Sequence, residues 1–211
     1  MPTNAIPVSV KTRIGYNKID LEWTRFLLEQ RLPAMTIHLR TRKEMSDVPA
    51  HWELMPEIVK TRDEVQRDLP INERTLIIGN GDVESIVKGQ ELVAKTGCDG
   101  IMIGRGIFGT PWLFEDLKSQ RSNLKISDIE AKKPAFRLKI LLEHAKLFEK
   151  AYCGKNGKRG IKSFAVMKKH FKAYVSGWDG AKELRAKLME RNNFKEVQKT
   201  IVDNLRLQNP E

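Results

Sequence analysis

TLIIGNGDVESIVKGQELVAKTGCDGIMIGRG, residues 75–106, decides the fold. Two aliphatic runs, TLIIGNG (75–81) and GIMIGRG (100–106), end in glycine and bracket VESIVKGQELVAKTG (83–97), whose apolar residues recur at helical spacing. Continuous apolar runs of this length suit strands buried on both faces of a parallel sheet. A strand, a helix and a second strand in close succession form a βα unit with a right-handed crossover. Asp82 is placed as the N-cap of the helix, its carboxylate accepting an orphan amide, and Gly97 marks the helix end.

Working outward, PVSVKTR (7–13) and AMTIHLR (34–40) read as two earlier strands. DLEWTRFLLEQRL (20–32) and HWELMPEIVKTRDEVQRDL (51–69) read as the helices that follow them, the second punctuated by Pro70. The chain is therefore predicted to be α/β, with about four βα units in residues 1–118. An eight-stranded barrel needs at least about 200 residues, so this part can be only a partial TIM (β/α) barrel. From about residue 134 the pattern becomes purely helical: 136–152, 161–177 and 180–205, the last broken near Asn192–Asn193. A glycine-rich basic loop, CGKNGKRG (153–160), joins the first two. The polar stretch 119–134 is expected to link the barrel part to an all-α domain over 135–211.

Charge divides at the same place. The net +11 is made of 18 Lys+Arg against 19 Asp+Glu in residues 1–130, and 20 against 8 in residues 131–211. A balance of −1 is thus followed by one of +12, which points either to a solvated lysine-rich surface or to a polyanion-binding module on a neutral body. No apolar run approaches the roughly 18 to 20 residues of a membrane span, and MPTNAIPVSVK lacks signal-peptide layout. Cys98 and Cys153 form neither a disulfide framework nor a metal cluster, so a cytoplasmic, metal-free protein is expected.

Working residues of a βα barrel stand at the C-terminal ends of its strands. Here those ends carry Lys11, His38, then Asn80 with Gly81 and Asp82, and Gly104 with Arg105. Glycine lets backbone amides approach a phosphate, a helix N-terminus adds a favourable dipole, and Arg105 can add a charge-assisted bond. Lys11 is either a solvated strand end or a cation that stabilises negative charge in the barrel mouth. His38 is either a satisfied core histidine or ligand-facing.

VKTRIG, TIHLRT, GNGDV and GCDGIMIGRGIFGTPW, in that order, resemble the second half of the tRNA-dihydrouridine synthases, and MKKHFKAYVSG resembles their C-terminal helical domain. The resemblance implies FMN at the barrel mouth, reduced by NADPH, and reduction of a flipped-out uridine of tRNA to 5,6-dihydrouridine. It implies that Lys11 and His38 lie near the flavin ring, while Asn80, Gly81, Asp82, Gly104 and Arg105 hold the ribityl phosphate arm. Arg40, Lys168, Lys169 and His170 are implied as tRNA contacts. The family's catalytic cysteine precedes the VKTR strand. Neither Cys98, before the fourth strand, nor Cys153, at the start of a loop, substitutes for it, so no catalytic acid is assigned and a missing N-terminal half is expected. Two other readings compete: a different phosphate-binding barrel oxidoreductase acting on a small molecule, and a non-catalytic RNA-binding fragment. A basic membrane-surface protein fits less well, because aromatic residues are sparse in the helical part.

Overall fold

The computed structural model describes residues 6–114, 133–154 and 160–208. They form two compact units, Met1–Gly106 and Ile107–Glu211. Most of the expected linker, 119–132, and residues 155–159 of the basic loop lie outside the described residues.

The first unit is α/β. Four strands, β1 (Ser9–Arg13), β2 (Ala34–His38), β3 (Leu76–Asn80) and β4 (Gly100–Met102), pair in sequential order, and every neighbouring pair is parallel. The connections are α1 (Leu21–Glu29), α2 (Met55–Val65) and α3 (Ile86–Thr96). Helix α1 starts where the Asp20 side chain accepts the Trp23 amide at 3.1 Å. Helix α3 ends at Gly97, whose φ of +74° suits a residue without a Cβ.

Three expectations are corrected. The N-cap of α3 is Ser85, which accepts the Lys88 amide at 3.1 Å, and not Asp82. Asp82 lies in the preceding turn with φ +52°, its carboxylate drawn to partners distant in sequence. The strand expected over 100–106 stops at Met102, and the chain turns through a single 3-10 turn at Arg105–Ile107. The helix expected over 51–69 is a 3-10 turn (Trp52–Leu54) and then α2, which ends well short of Pro70. Gln66, just past α2, is wholly buried and serves elsewhere: its amide donates to Leu28 O at 2.7 Å and Thr75 Oγ1 at 2.8 Å, and accepts the Thr75 N–H at 2.8 Å.

Alternation along the strands gives the sheet two chemically different faces. Met35, Ile37 and Ile77 are fully buried against Leu28 of α1 and Met55 and Ile58 of α2, with Val10 and Ile101 packed beside them. Each such side chain contributes roughly 1.5–3 kcal/mol by leaving water. The odd positions out, Lys11, Arg13, Thr36, His38, Ile78, Asn80 and Met102, fall on the other face by the same alternation.

The second unit is helical. It contains α4 (Pro134–Tyr152), a 3-10 turn (Phe164–Met167) running into α5 (Lys168–Tyr174), then α6 (Ala181–Met189) and α7 (Phe194–Gln208). The expected break near Asn192–Asn193 separates α6 from α7, and Asn193 Oδ1 accepts the Glu196 amide at 2.9 Å. The core is built from Leu138, Leu141, Phe171, Tyr174, Leu184 and Ile201, all at most 2% exposed. Among the described residues no helix is long and apolar enough to cross a membrane.

Candidate functional site

The register places Arg13, His38, Asn80 and Met102 side by side at the C-terminal ends of the four strands, on the face opposite the one packed against α1 and α2. Lys11 lies two residues below, on the same face, and is exposed. Arg13 was not singled out from the sequence. Its position two residues beyond Lys11, hence on the same face of a strand, was the available signal. Its guanidinium donates to Thr41 O at 2.7 Å, tying β1 to the loop after β2.

That loop is organised by Arg40, which is only 3% exposed. Arg40 donates to Val48 O at 2.6 Å, to the Asp82 carboxylate, and to His38 Nε2 at 3.3 Å. Asp82 also accepts the Ala50 N–H at 2.9 Å, and Arg105 Nη2 stands 3.8 Å from its other oxygen. The Arg40 hydrogen bond holds the Asp82 carboxyl below the usual carboxylate range, so it is ionised at neutral pH. The expectation that Arg40 meets tRNA is therefore revised: with every nitrogen directed at an internal partner and almost no exposure, it positions His38 and Asp82. Asp82 is likewise revised as a phosphate ligand, because an ionised carboxylate repels a phosphate. It works instead by orienting Arg40 and lying beside Arg105.

Burial, with the charges of Arg13, Lys11 and Arg40, lowers the His38 pKa from its ordinary value to about 4. His38 is consequently neutral at pH 7, and since Arg40 can only donate, the ring proton belongs on Nδ1. The Asn80 amide donates to Met102 O at 2.8 Å, closing the top of β3 against β4. Gly81 has φ +129°, and a Cβ there would stand 2.7 Å from Ala50 Cβ and 3.3 Å from His38, so the glycine is required by packing. Gly79 is similarly committed: a Cβ would lie 2.5 Å from the Trp52 ring, whose indole N–H donates to Gly81 O at 2.8 Å. Gly104 differs. A Cβ there would meet nothing within 4 Å, and the neighbouring Arg105 side chain is 70% exposed.

The seven strand-end residues expected around a cofactor thus share one end of one sheet. Lys168, Lys169 and His170 are all on α5, in the other unit. Lys169 is exposed, with its ammonium 5.5 Å from the Phe108 ring, whereas His170 is half-buried between Phe108 (5.3 Å) and His144 (4.8 Å). His144 in turn meets the Tyr174 hydroxyl at 3.2 Å. Three carbonyls at and just after the C-terminal end of α5 are held by arginines: Arg137 donates to Ala173 O (2.8 Å) and Ser176 O (2.9 Å), and Arg185 to Val175 O (2.8 Å). The charge of this unit is not neutralised internally. Among its described residues, the ion pair formed is Arg191–Glu190, at 3.6 Å.

Burial also lowers His170 to about 4, helped by His144 and Lys169, and lowers His144. A histidine whose folded pKa is depressed binds fewer protons than in the unfolded chain between the two values. Stability therefore falls as pH drops from about 6.5 to about 4 and levels off below. Thermal melts across this range should lose several degrees, and His170→Gln should flatten much of the decline. An unchanged pH profile in that variant would contradict the assignment. Among the described residues no group of three or more His, Cys, Asp or Glu could hold a metal ion.

The sequence model described as Dihydrouridine synthase (Dus) matches residues 3–209. The chain is 40% identical over 194 residues to a protein named probable tRNA-dihydrouridine synthase from Staphylococcus aureus (strain N315), covering 91% of this chain and 52% of that protein. It is 40% identical over 200 residues to probable tRNA-dihydrouridine synthase 2 of Bacillus subtilis (strain 168), covering 94% and 55%. A Staphylococcus epidermidis (strain ATCC 12228) protein of the same description is 41% identical over 198 residues, covering 93% and 54%. The chain spans about half the length of the curated relatives it matches. With the match running almost from end to end of the sequence, this chain belongs to the dihydrouridine synthase family.

Proposed function

We propose that the chain is the part of a tRNA-dihydrouridine synthase that grips FMN and tRNA, in an NADPH-using reduction of uridine to 5,6-dihydrouridine. The observation that carries this reading is the polar end of the sheet, where Lys11, His38 and Asn80 share an open face beside Gly104 and Arg105. The sequential, all-parallel strand order is that of a (β/α) barrel wall, and the four strands are read as half of a TIM barrel.

The donor set fits FMN. Arg105, exposed beside the open space at Gly104, suits the phosphate, and Lys11 suits the polar edge of the ring system. Neutral His38 offers an Nδ1–H donor without adding a third full charge, while Asn80 and Gly81 fix the strand end on which these groups stand. FMN, once reduced, supplies the hydride for the uracil ring. The helical unit supplies affinity: its +12 region, with exposed Lys169 on α5, neutralises tRNA phosphates without reading sequence.

FMN titration tests the cofactor site. Arg105→Ala and Lys11→Ala are each expected to weaken binding about ten-fold or more, the loss of a charge-assisted hydrogen bond of about 1.5–3 kcal/mol. Wild-type protein that binds no FMN, or variants that bind it equally well, would overturn the assignment. tRNA affinity should fall steeply with salt, and Lys169→Ala should reduce that slope by about one phosphate contact. Salt-independent binding would favour a small-molecule oxidoreductase.

A further inference from the structure

The loop that leads from β2 to the 3-10 turn at Trp52–Leu54 ends in a histidine held between two carboxylates. His51 Nε2 stands 3.1 Å from Glu44 Oε1, and His51 Nδ1 stands 2.9 Å from Glu53 Oε1. A carboxylate only accepts and a neutral imidazole has one N–H, so both bonds form together only when the ring is an imidazolium. The Thr41 amide, with help from His51, holds the Glu44 carboxyl below its ordinary value. Glu53 is lowered by its own amide and then by His51, so both carboxylates are ionised at neutral pH. The bond to Glu44, followed by that to Glu53, raises the His51 pKa, and these two carboxylates are the charges that act on the ring.

The ring braces the loop. Its own backbone is fixed, since His51 N–H donates to Leu39 O (2.7 Å) and Leu54 N–H to His51 O (3.1 Å). Thr41 and Glu44 close a turn reciprocally: Thr41 N–H donates to Glu44 Oε2 (2.7 Å), and Glu44 N–H to Thr41 Oγ1 (3.2 Å). The second oxygen of Glu44 ties that turn to His51. Between them Met45 has φ +52°, a costly conformation for a residue with a Cβ, which an outside hold must maintain. The same loop seats the arginines at the strand ends. Arg13 donates to Thr41 O (2.7 Å) and Met45 O (3.4 Å), and Arg40 to Val48 O (2.6 Å). Its Ala50 N–H donates to Asp82 at 2.9 Å.

We propose that His51 is a pH-sensitive latch, which as imidazolium clasps Glu44 and Glu53 and holds the loop of residues 41–51, and which on losing its proton loosens the seat of Arg13 and Arg40 beside His38. Either neutral tautomer weakens the clasp. A proton on Nδ1 leaves a lone pair facing Glu44, and a proton on Nε2 leaves a neutral donor where a charged one stood. A raised folded pKa gives stability that is complete below the ordinary 6.5 and is lost as pH rises through the folded value. His38 and His170 act on the other side, below 6.5, so pH alone separates their effect from that of His51. The consequence for cofactor binding rests on the FMN reading, whereas the latch itself does not.

Amide hydrogen exchange on the full chain, expressed as protection factors from about pH 6 to about pH 9, tests the latch, with FMN affinity measured alongside. Protection of Thr41, Glu44, Asp47 and Ala50, whose amides all have acceptors in the closed loop, should fall as pH rises. The expected fall is about three- to ten-fold, the weakening of one charge-assisted hydrogen bond, and FMN affinity should fall with it. His51→Gln should keep the loop at its loosened level at every pH. Glu53→Gln, at a side chain 68% exposed, should leave the fold intact and move the fall to lower pH. Protection that stays constant in the wild type, or that falls equally in His51→Gln, overturns the proposal. A loop that loosens with undiminished FMN affinity overturns its link to the strand-end site. A chain whose loop titrates but which binds no FMN at any pH overturns the cofactor reading and leaves the latch standing.

Discussion

Asp82→Ala is expected to cost about 2–4 kcal/mol of stability and to weaken FMN binding with it. The carboxylate is the partner of Arg40, which is 3% exposed, and of the Ala50 amide. Removing it leaves a buried guanidinium short of its counter-charge and an amide without an acceptor, the costly way to break such a pair. Because Asp82 itself is 38% exposed, the loss should stay below that of a fully buried pair. Its φ of +52° adds strain for alanine that asparagine largely escapes, so Asp82→Asn should lose distinctly less. Urea unfolding midpoints measure the difference. Negligible losses in both variants would mean that Arg40 finds another partner.

Phe171→Ala is expected to cost the helical unit about 3–5 kcal/mol, a large share of the 5–15 kcal/mol that stabilises a typical domain. Phe171 is fully buried on α5 and lies 6.3 Å from the Phe164 ring, inside the cluster with Leu141, Leu184 and Ile201. The cavity would lie directly beneath the basic stretch Lys168–Lys169, so tRNA affinity should fall together with the melting temperature. Phe171→Leu, which removes far less volume, should keep most of both. A stable Phe171→Ala protein with unaltered melting would show that the core of this unit lies elsewhere.

The strands were legible because each is an aliphatic run, and four runs alternating with helical patterns leave a parallel sheet as the consistent solution. The strand-end residues followed from that topology alone: His38 and Asn80 stand level because β2 and β3 pair from Ala34↔Leu76 upward. What local pattern could not supply was pairing across distance. Asp82 looked like an N-cap because a helix follows it, but Arg40, 42 residues earlier, claims its carboxylate, and Ser85 caps the helix instead. Gly79 was not singled out in GNGD, and the reason for it is Trp52, whose ring occupies the place of a Cβ. His170 was read with its neighbouring lysines as one basic triplet. Helix geometry turns it toward His144 instead and leaves Lys169 outside.

Helix α5 spans seven residues, fewer than the roughly 12–15 that a helix needs to persist by itself in water. Its register is set by Arg137 and Arg185, which grip the carbonyls at its end, and by Phe171 and Tyr174 beneath it. The stretch that presents Lys168 and Lys169 therefore exists only as a consequence of packing. Amide hydrogens of residues 168–174 should exchange no more slowly than α4 docks and undocks, and an isolated peptide of this sequence should bind RNA as a disordered polycation. On the proposed function, affinity for the nucleic acid would in this sense be a readout of the folding equilibrium of the helical unit, open to tuning by substitutions that never touch the ligand.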